Sequence, residues 1–189
     1  MLLALLYLLG GASRSGKSIL ARRLLDELRV PHLALDLLMM GFARGLPEHG
    51  VGPSLPAPEV AERLWPVVRG MAQTAAEDEL DYLFEGDALL PGQAAELGRS
   101  LGEGVRVAFL GYVDAPPARK LREVHAFGGN PNDWVANLTD DRIPEITARN
   151  AEFSARLRGE CAALGLPYFD TSRDFPGALD DAFRHLAAQ

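Results

Sequence analysis

The chain has 189 residues, the length of one ordinary domain, with 48% hydrophobic and 24% charged residues, a balance that excludes a disordered protein. Its net charge of -7 disfavours a nucleic-acid partner, because an acidic surface repels phosphate backbones. Cys161 is the single cysteine, which excludes an intrachain disulfide and favours a reducing compartment, so a cytoplasmic protein is expected.

The first half of the chain alternates between apolar runs and amphipathic segments. Residues 3–9 form a continuous apolar run that ends at glycine, which is typical of a central parallel strand buried on both faces. The run is too short to span a bilayer and lacks a basic start, so neither a membrane helix nor a signal peptide is expected. The elements predicted after it are a helix over 16–28, a strand over 32–36, a helix over 37–42, a loop over 45–58, a helix over 58–79, a strand over 82–85 and a helix over 91–101.

The second half continues the alternation. The predicted elements are a strand over 105–110, a helix over 117–126, a loop over 127–134, a helix over 140–164, a strand over 167–170 and a helix over 175–188. Strands separated by helices imply right-handed crossovers and a parallel sheet covered on both faces. No repeat or long linker divides the chain, so we predict one three-layer α/β/α domain over residues 1–189.

One motif carries the strongest functional signal. The pattern G-x-x-x-x-G-K-[ST] is matched at every fixed position by Gly11-Ala12-Ser13-Arg14-Ser15-Gly16-Lys17-Ser18. Its glycines let the backbone curl so that amides point at phosphates, and the helix that follows adds its positive end. Lys17 is placed to bridge the outer two phosphates, and the Ser18 hydroxyl to ligate Mg²⁺. All eight residues are therefore predicted to bind ATP, with Mg²⁺ as the accompanying ion.

The segment from Leu3 to Ser18 resembles the opening of P-loop kinases of the nucleoside-monophosphate-kinase type. This resemblance implies a P-loop NTPase fold with a five-stranded parallel sheet of order 2-3-1-4-5, an acceptor-side loop at 41–58 and a lid at about 117–142. More narrowly, the chain is similar to bacterial 2-phosphoglycerate-kinase-like and zeta-toxin-like proteins. The matching stretches are 109–112 (FLGY), 126–134 (AFGGNPNDW) and 167–172 (PYFDTS). The resemblance implies a phosphotransferase that moves the γ-phosphate of ATP to a small acceptor.

Acidic residues are expected at the carboxyl ends of the strands, where ligands bind in sheets of this kind. In similar sugar and shikimate kinases, an acid at the end of the second strand faces the acceptor hydroxyl. Asp36 is therefore predicted to orient that hydroxyl and accept its proton; the alternative is a helix N-cap. Glu85, followed by glycine, resembles the Asp-Gly pair of nucleoside monophosphate kinases and is predicted to hold Mg²⁺ through water. Asp87 is the competing candidate for that role.

Lid arginines clamp the transferring phosphate in kinases of this type. Arg119 and Arg122 lie at i, i+3 on one predicted helix face and are the favoured candidates, with Arg142 and Arg149 as alternatives. Of the 19 basic residues 17 are arginine, so arginine is also the usual surface cation of this chain.

The expected partners are a nucleoside triphosphate and a small-molecule acceptor, with no nucleic acid and no membrane, in a monomer or homodimer. Two other functions stay open from the sequence. One is a nucleotide-dependent regulatory module without an acceptor. The other is a toxin-like kinase that acts on a cell-wall sugar nucleotide. A GTPase switch is disfavoured because no segment matches the guanine-specifying Asn-Lys-x-Asp motif.

Overall fold

A parallel sheet of five strands runs through the centre of the computed structural model, which describes residues 5–126 and 143–188. The strands are β1 (Leu6–Gly11), β2 (His32–Ala34), β3 (Tyr82–Gly86), β4 (Val105–Gly111) and β5 (Tyr168–Asp170). The helices are α1 (Lys17–Leu28), α2 (Leu35–Gly45), α3 (Ala57–Glu77), α4 (Pro91–Leu101), α5 (Pro117–Ala126), α6 (Ile143–Leu164) and α7 (Phe175–Ala187). None of these described helices is long and apolar enough to cross a membrane.

The strand order is β2-β3-β1-β4-β5, which confirms the predicted order. The central strand β1 pairs in parallel with β3 on one side and with β4 on the other. In this register Leu9 lies opposite both Glu85 and Ala108. All six residues of β1 are buried, which explains why its sequence is a continuous apolar run without polar alternation.

Two apolar layers cover the sheet, one on each face. On one face Leu6 and Leu8 pack with residues of α3, α4 and α6, and on the other Tyr7 and Leu9 pack with residues of α1 and α7. This arrangement follows from the two-residue period of a strand, which sends alternate side chains to opposite faces. The result is the predicted three-layer α/β/α architecture.

The region after β2 differs from its prediction. The strand was expected over 32–36, but β2 ends at Ala34, and α2 begins at once and continues to Gly45. One reason is that β2 lies at the edge of the sheet, next to β3. The other is that the fully buried Leu35 packs closely against Gly86, where an added Cβ would come 2.9 Å from the Cβ of Leu35. The predicted loop over 41–58 is shortened at both ends by α2 and α3, and it contains a 3-10 turn at Pro47–His49.

Other boundaries shift by one to three residues. Strand β1 extends to Gly11 because that residue still pairs with Leu110 of β4. The helix over 91–101 and the helix over 117–126 have the predicted bounds. The predicted loop over 127–134, the start of the long helix at 140 and Arg142 lie outside the described residues.

Candidate active site

The turn between β1 and α1 contains the first part of the site, and we call residues 11–18 the phosphate loop. Gly11 has a φ of 145°, and a Cβ there would collide with the carbonyl oxygen of Leu110. Gly16, the N-cap of α1, has a φ of 102°, and a Cβ there would come 2.8 Å from the Cδ2 atom of Leu179. Only glycine fits both positions without strain, so the glycines of the motif are required by the backbone itself.

Hydrogen bonds close the curl of the phosphate loop. The amide of Ala12 donates to the carbonyl of Leu110 at 3.1 Å, and the amide of Ser15 donates to the carbonyl of Ala12 at 3.3 Å. Lys17 folds back, so that its Nζ donates to the same Ala12 carbonyl at 2.9 Å, and the residue is only 8% exposed. The Ser15 hydroxyl is buried and has no hydrogen-bond partner in the ranges that the structure describes. A curled loop with an ammonium group, a spare hydroxyl and a helix start fits phosphate oxygens.

Ser18 connects the phosphate loop to strand β3. Its hydroxyl donates to Oε1 of Glu85 at 3.4 Å, and Glu85 is 5% exposed at the carboxyl end of the strand. Burial raises the pKa of Glu85, while the charge of Lys17 lowers it and that of Asp36 raises it. Within residues 5–126 and 143–188, no group of three or more His, Cys, Asp or Glu side chains could hold a metal ion. A metal ion here would therefore take phosphate oxygens in addition to these two protein groups.

Asp36 lies beside this group, on a different element from the one predicted. It is the second residue of α2, and the N-cap of that helix is Ala34, without a side-chain cap. Both sequence-based positions for Asp36, strand end and N-cap, are therefore wrong, although the residue is still close to the end of β2. Leu35 packs against Gly86, and the residues that follow these two, Asp36 and Asp87, interact electrostatically.

Asp36 has an unusual electrostatic environment for an exposed carboxyl group. The surrounding protein still removes part of its water, and this desolvation is the main reason why the pKa of Asp36 is raised. The charge of Asp87 raises this pKa further, and the charge of Lys17 opposes both effects. Asp36 and Glu85 thus share the field of one buried lysine, Lys17, at the edge of the phosphate loop, which is an arrangement suited to binding a cation and moving a proton.

Known structures share this architecture, although no protein-family model and no curated protein matches the sequence. A gluconokinase from Sinorhizobium meliloti matches with a TM-score of 0.57 at 14% identity, over 99% of this chain and 94% of its own. A shikimate kinase from Bacteroides thetaiotaomicron matches with a TM-score of 0.53 at 15% identity, over 96% of each chain. The chain has the P-loop kinase fold.

A third structure agrees with that fold. An uncharacterized protein from Eubacterium ventriosum matches with a TM-score of 0.58 at 13% identity, over 98% of this chain and 99% of its own. At such identities the likeness establishes the P-loop kinase fold itself. The narrower resemblance to 2-phosphoglycerate-kinase-like and zeta-toxin-like proteins stays a prediction.

Three of the arginines predicted for the lid lie within the described residues. On α5, Arg119 donates from Nε to Oε1 of Glu123 at 2.9 Å, and Arg122 is exposed. Arg149 is exposed on α6. In the phosphate loop itself, Arg14 has a φ of 64°, and its charge lowers the pKa of both Tyr112 and Lys120. Arg14 therefore interacts electrostatically with Lys120 on α5 and with Tyr112 beside it.

Two residues beside the phosphate loop were missed from the sequence. Tyr112, after β4, donates from its hydroxyl to the carbonyl of Ser13 at 3.1 Å. Lys120, in the first turn of α5, is 2% exposed and has its Nζ 4.0 Å from the centroid of the Tyr112 ring. One signal could have drawn attention to Lys120. It is one of only two lysines in a chain that otherwise uses arginine as its cation, and the other lysine is Lys17.

The segment after β5 fixes the segment after β4. Ser172 accepts hydrogen bonds on its hydroxyl from the amides of Val113 and Asp114, at 2.9 and 3.0 Å. Its own amide donates to Oδ1 of Asp170 at 2.8 Å. Asp170 therefore fixes the turn at Ser172, and this turn holds the segment that leads to α5.

Proposed function

We propose that the protein is an ATP-dependent phosphotransferase that moves the γ-phosphate of ATP to a hydroxyl group of a small molecule. The observation that carries this proposal is the convergence of Lys17, Ser18, Glu85 and Asp36 at one edge of the sheet. A site that only stored a nucleotide would need the first three of these residues but not a second carboxyl group, Asp36, that interacts with Lys17.

The phosphate loop would hold the triphosphate through its amides and through the start of α1. Lys17 would exchange its hydrogen bond to the Ala12 carbonyl for bonds to the outer phosphates, since a charged phosphate is a stronger acceptor than a carbonyl.

Ser18 and Glu85 fit the role of Mg²⁺ ligands, Ser18 directly and Glu85 through water. Bound Mg²⁺ would neutralise charge on the β- and γ-phosphate oxygens. The hydrogen bond between Ser18 and Glu85 favours Glu85 over Asp87 for this role. Its raised pKa shows the cost of burying this carboxylate, and a nearby dication would keep it ionised.

Asp36 would accept a hydrogen bond from the acceptor hydroxyl and take its proton as the phosphoryl group transfers. The desolvation and the Asp87 charge that raise its pKa also make it a stronger base. Because Asp36 and Asp87 would repel a second negative group, the acceptor should present an uncharged, hydroxyl-bearing end to this pocket. Arg119 and Arg122, on the described part of the predicted lid region, would close over the bound substrates.

The test measures ADP release from ATP and Mg²⁺ with a panel of acceptors. The panel contains nucleosides, nucleoside monophosphates, gluconate, shikimate, neutral sugars, phosphoglycerate and sugar nucleotides, the last two because of the narrower resemblance. We expect one acceptor class to raise turnover at least tenfold above ATP hydrolysis in its absence. Tight ATP binding with slow hydrolysis that no acceptor changes would favour the regulatory module instead.

A further inference from the structure

Beyond the residues that would contact the substrates, the site contains a buried cation–aromatic group with no part in the proposed transfer. We propose that Tyr112 is a positioning residue that orients the Ser13–Arg14 peptide of the phosphate loop, and that Lys120 and Glu123 on α5 hold Tyr112 in place. This inference rests on the proposed function only in taking the loop to bind phosphate.

The hydrogen bond from the Tyr112 hydroxyl fixes one face of that peptide. In a trans peptide the carbonyl and the amide of the same plane point in opposite directions. With the Ser13 carbonyl held at 3.1 Å by Tyr112, the amide of Arg14 points away from Tyr112. The φ of 64° at Arg14 then turns the chain sharply towards Ser15. Successive amides that alternate around a left-handed residue form the kind of concave nest that binds anions.

Tyr112 is itself held firmly. It is 1% exposed, and its backbone amide donates to the hydroxyl of Ser154 on α6 at 3.1 Å. Burial raises the pKa of Tyr112 to about 12, so the hydroxyl stays protonated and remains a donor at every pH where the enzyme would work.

Lys120 packs on the ring of Tyr112. Its Nζ lies 4.0 Å from that ring centroid, 5.6 Å from the ring centroid of Phe175 and 3.2 Å from Oε2 of Glu123. Burying an ammonium group is unfavourable, and burial accordingly lowers the pKa of Lys120. The aromatic faces and the Glu123 carboxylate offset that cost.

The two aromatic rings contact two different parts of the phosphate loop. Tyr112 bonds to Ser13, whereas the Phe175 ring carbons lie 3.1 and 3.2 Å from the position that a Cβ on Gly16 would take. Lys120 contacts both rings and thus connects the first turn of α5 to both of these parts of the loop. Because α5 begins the lid region, its position and the phosphate affinity of the loop should be linked, and such linkage acts in both directions.

The first variant is Tyr112→Phe, which removes the hydroxyl and keeps the ring under Lys120. We expect about a fivefold to tenfold weaker binding of ATP, unchanged binding of adenosine and a melting temperature within a few degrees of the parent, as loss of the hydroxyl's hydrogen bonds to Ser13 and Asn150 implies. Tyr82→Phe is the matched control, because it removes the same group from the far end of the sheet, and it should change neither affinity. Equal losses for ATP and adenosine, or no loss for ATP, would overturn the proposal.

The second variant is Lys120→Met, which keeps the apolar stem and removes the charge. In a double-mutant cycle, the variant with both Lys120→Met and Tyr112→Phe should lose less ATP affinity than the sum of the two single losses. Lys120→Arg should restore part of the affinity that Lys120→Met loses. Additive losses would show that Lys120 does not act through Tyr112. If Lys120→Met fails to fold, Tyr112→Phe still decides the positioning role. Calorimetry with ATP needs no acceptor, so failure of wild-type protein to bind ATP would count against the proposed function instead.

Discussion

The two halves of the site are built by different means. On the nucleotide half, the site is formed mainly by the backbone, because glycine conformations and amide directions create the phosphate loop. On the proposed acceptor half, the site is formed by a side chain. That side chain is Asp36, which lies in the first turn of a helix that follows a strand of only three residues. Backbone-built sites depend on a few residue types at fixed spacing, whereas side-chain-built sites depend on where neighbouring elements happen to pack. The substitutions below are arranged to test this contrast.

Gly11→Ala should have the largest effect. A Cβ at Gly11 would collide with the Leu110 carbonyl, and the φ of 145° is unfavourable for alanine. We expect a loss of about 3 kcal/mol or more in the free energy of unfolding, measured by urea denaturation, together with loss of ATP binding. Gly159→Ala is the matched control, because nothing lies within 4 Å of its Cβ position on the exposed face of α6. The control should stabilise the protein by about 0.5–1 kcal/mol. Similar results for both variants would refute a backbone-built loop.

Lys17→Ala should abolish turnover with little change in fold. Removal of the ammonium group leaves the outer phosphates without their cation, so turnover should fall by at least ~100-fold, roughly the effect of one electrostatic donor in a transition state. The melting temperature, measured by calorimetry, should change by only a few degrees, because Lys17 makes one hydrogen bond within the loop. Arg22→Ala, which removes an exposed cation from the same helix, is the control. Retained turnover would remove Lys17 from the site.

Asp36→Asn should separate the two halves directly. Turnover with an acceptor should fall by about 100-fold because the base is lost, while ATP affinity should change less than twofold. Equal losses of turnover and of ATP affinity would place Asp36 on the nucleotide half.

Asp87→Asn tests the role of Asp36 through the pH dependence of turnover. The pKa of Asp36 is raised mainly by desolvation and further by the charge of Asp87. In the proposed mechanism the ionised form of Asp36 is the base, so turnover should rise as pH increases through that pKa. Removal of the Asp87 charge lowers this pKa, and the acidic limb of the pH–rate profile should move to lower pH. A limb that stays in place or moves to higher pH would show that Asp36 is not the titrating base.

Glu85→Gln should give the smallest effect on the protein without ligands. Because the pKa of Glu85 is higher in the folded than in the unfolded chain, the folded state keeps its proton longer and stability falls as pH rises through that range. The amide variant should therefore be more stable at neutral pH, by an amount on the order of 1 kcal/mol. It should also need more Mg²⁺ for ATP turnover, and an unchanged Mg²⁺ requirement would favour Asp87 as the metal-associated acid.

The same contrast explains how far the sequence could be used. The phosphate loop was predictable, because an apolar run followed by two glycines at fixed spacing favours one backbone path. The strand order was expected only from the resemblance to P-loop kinases, and the structure confirms it. The element that carries Asp36 was not, because the point where an edge strand gives way to a helix depends on Leu35 packing against Gly86 from another strand. Lys120 and Tyr112 were missed for the same reason, since their contact joins residues that no local pattern connects.

The core position of Cys161 has a practical consequence. This thiol is fully buried on α6, and burial raises its pKa to about 12, so it is protonated and inaccessible near neutral pH. Maleimide dyes react with exposed thiolates, and they should leave this cysteine unlabelled. A cysteine introduced at an exposed site such as Arg122 on α5 would then carry the dye alone. The native cysteine therefore need not be removed before fluorescence is used to measure how α5 responds to nucleotide.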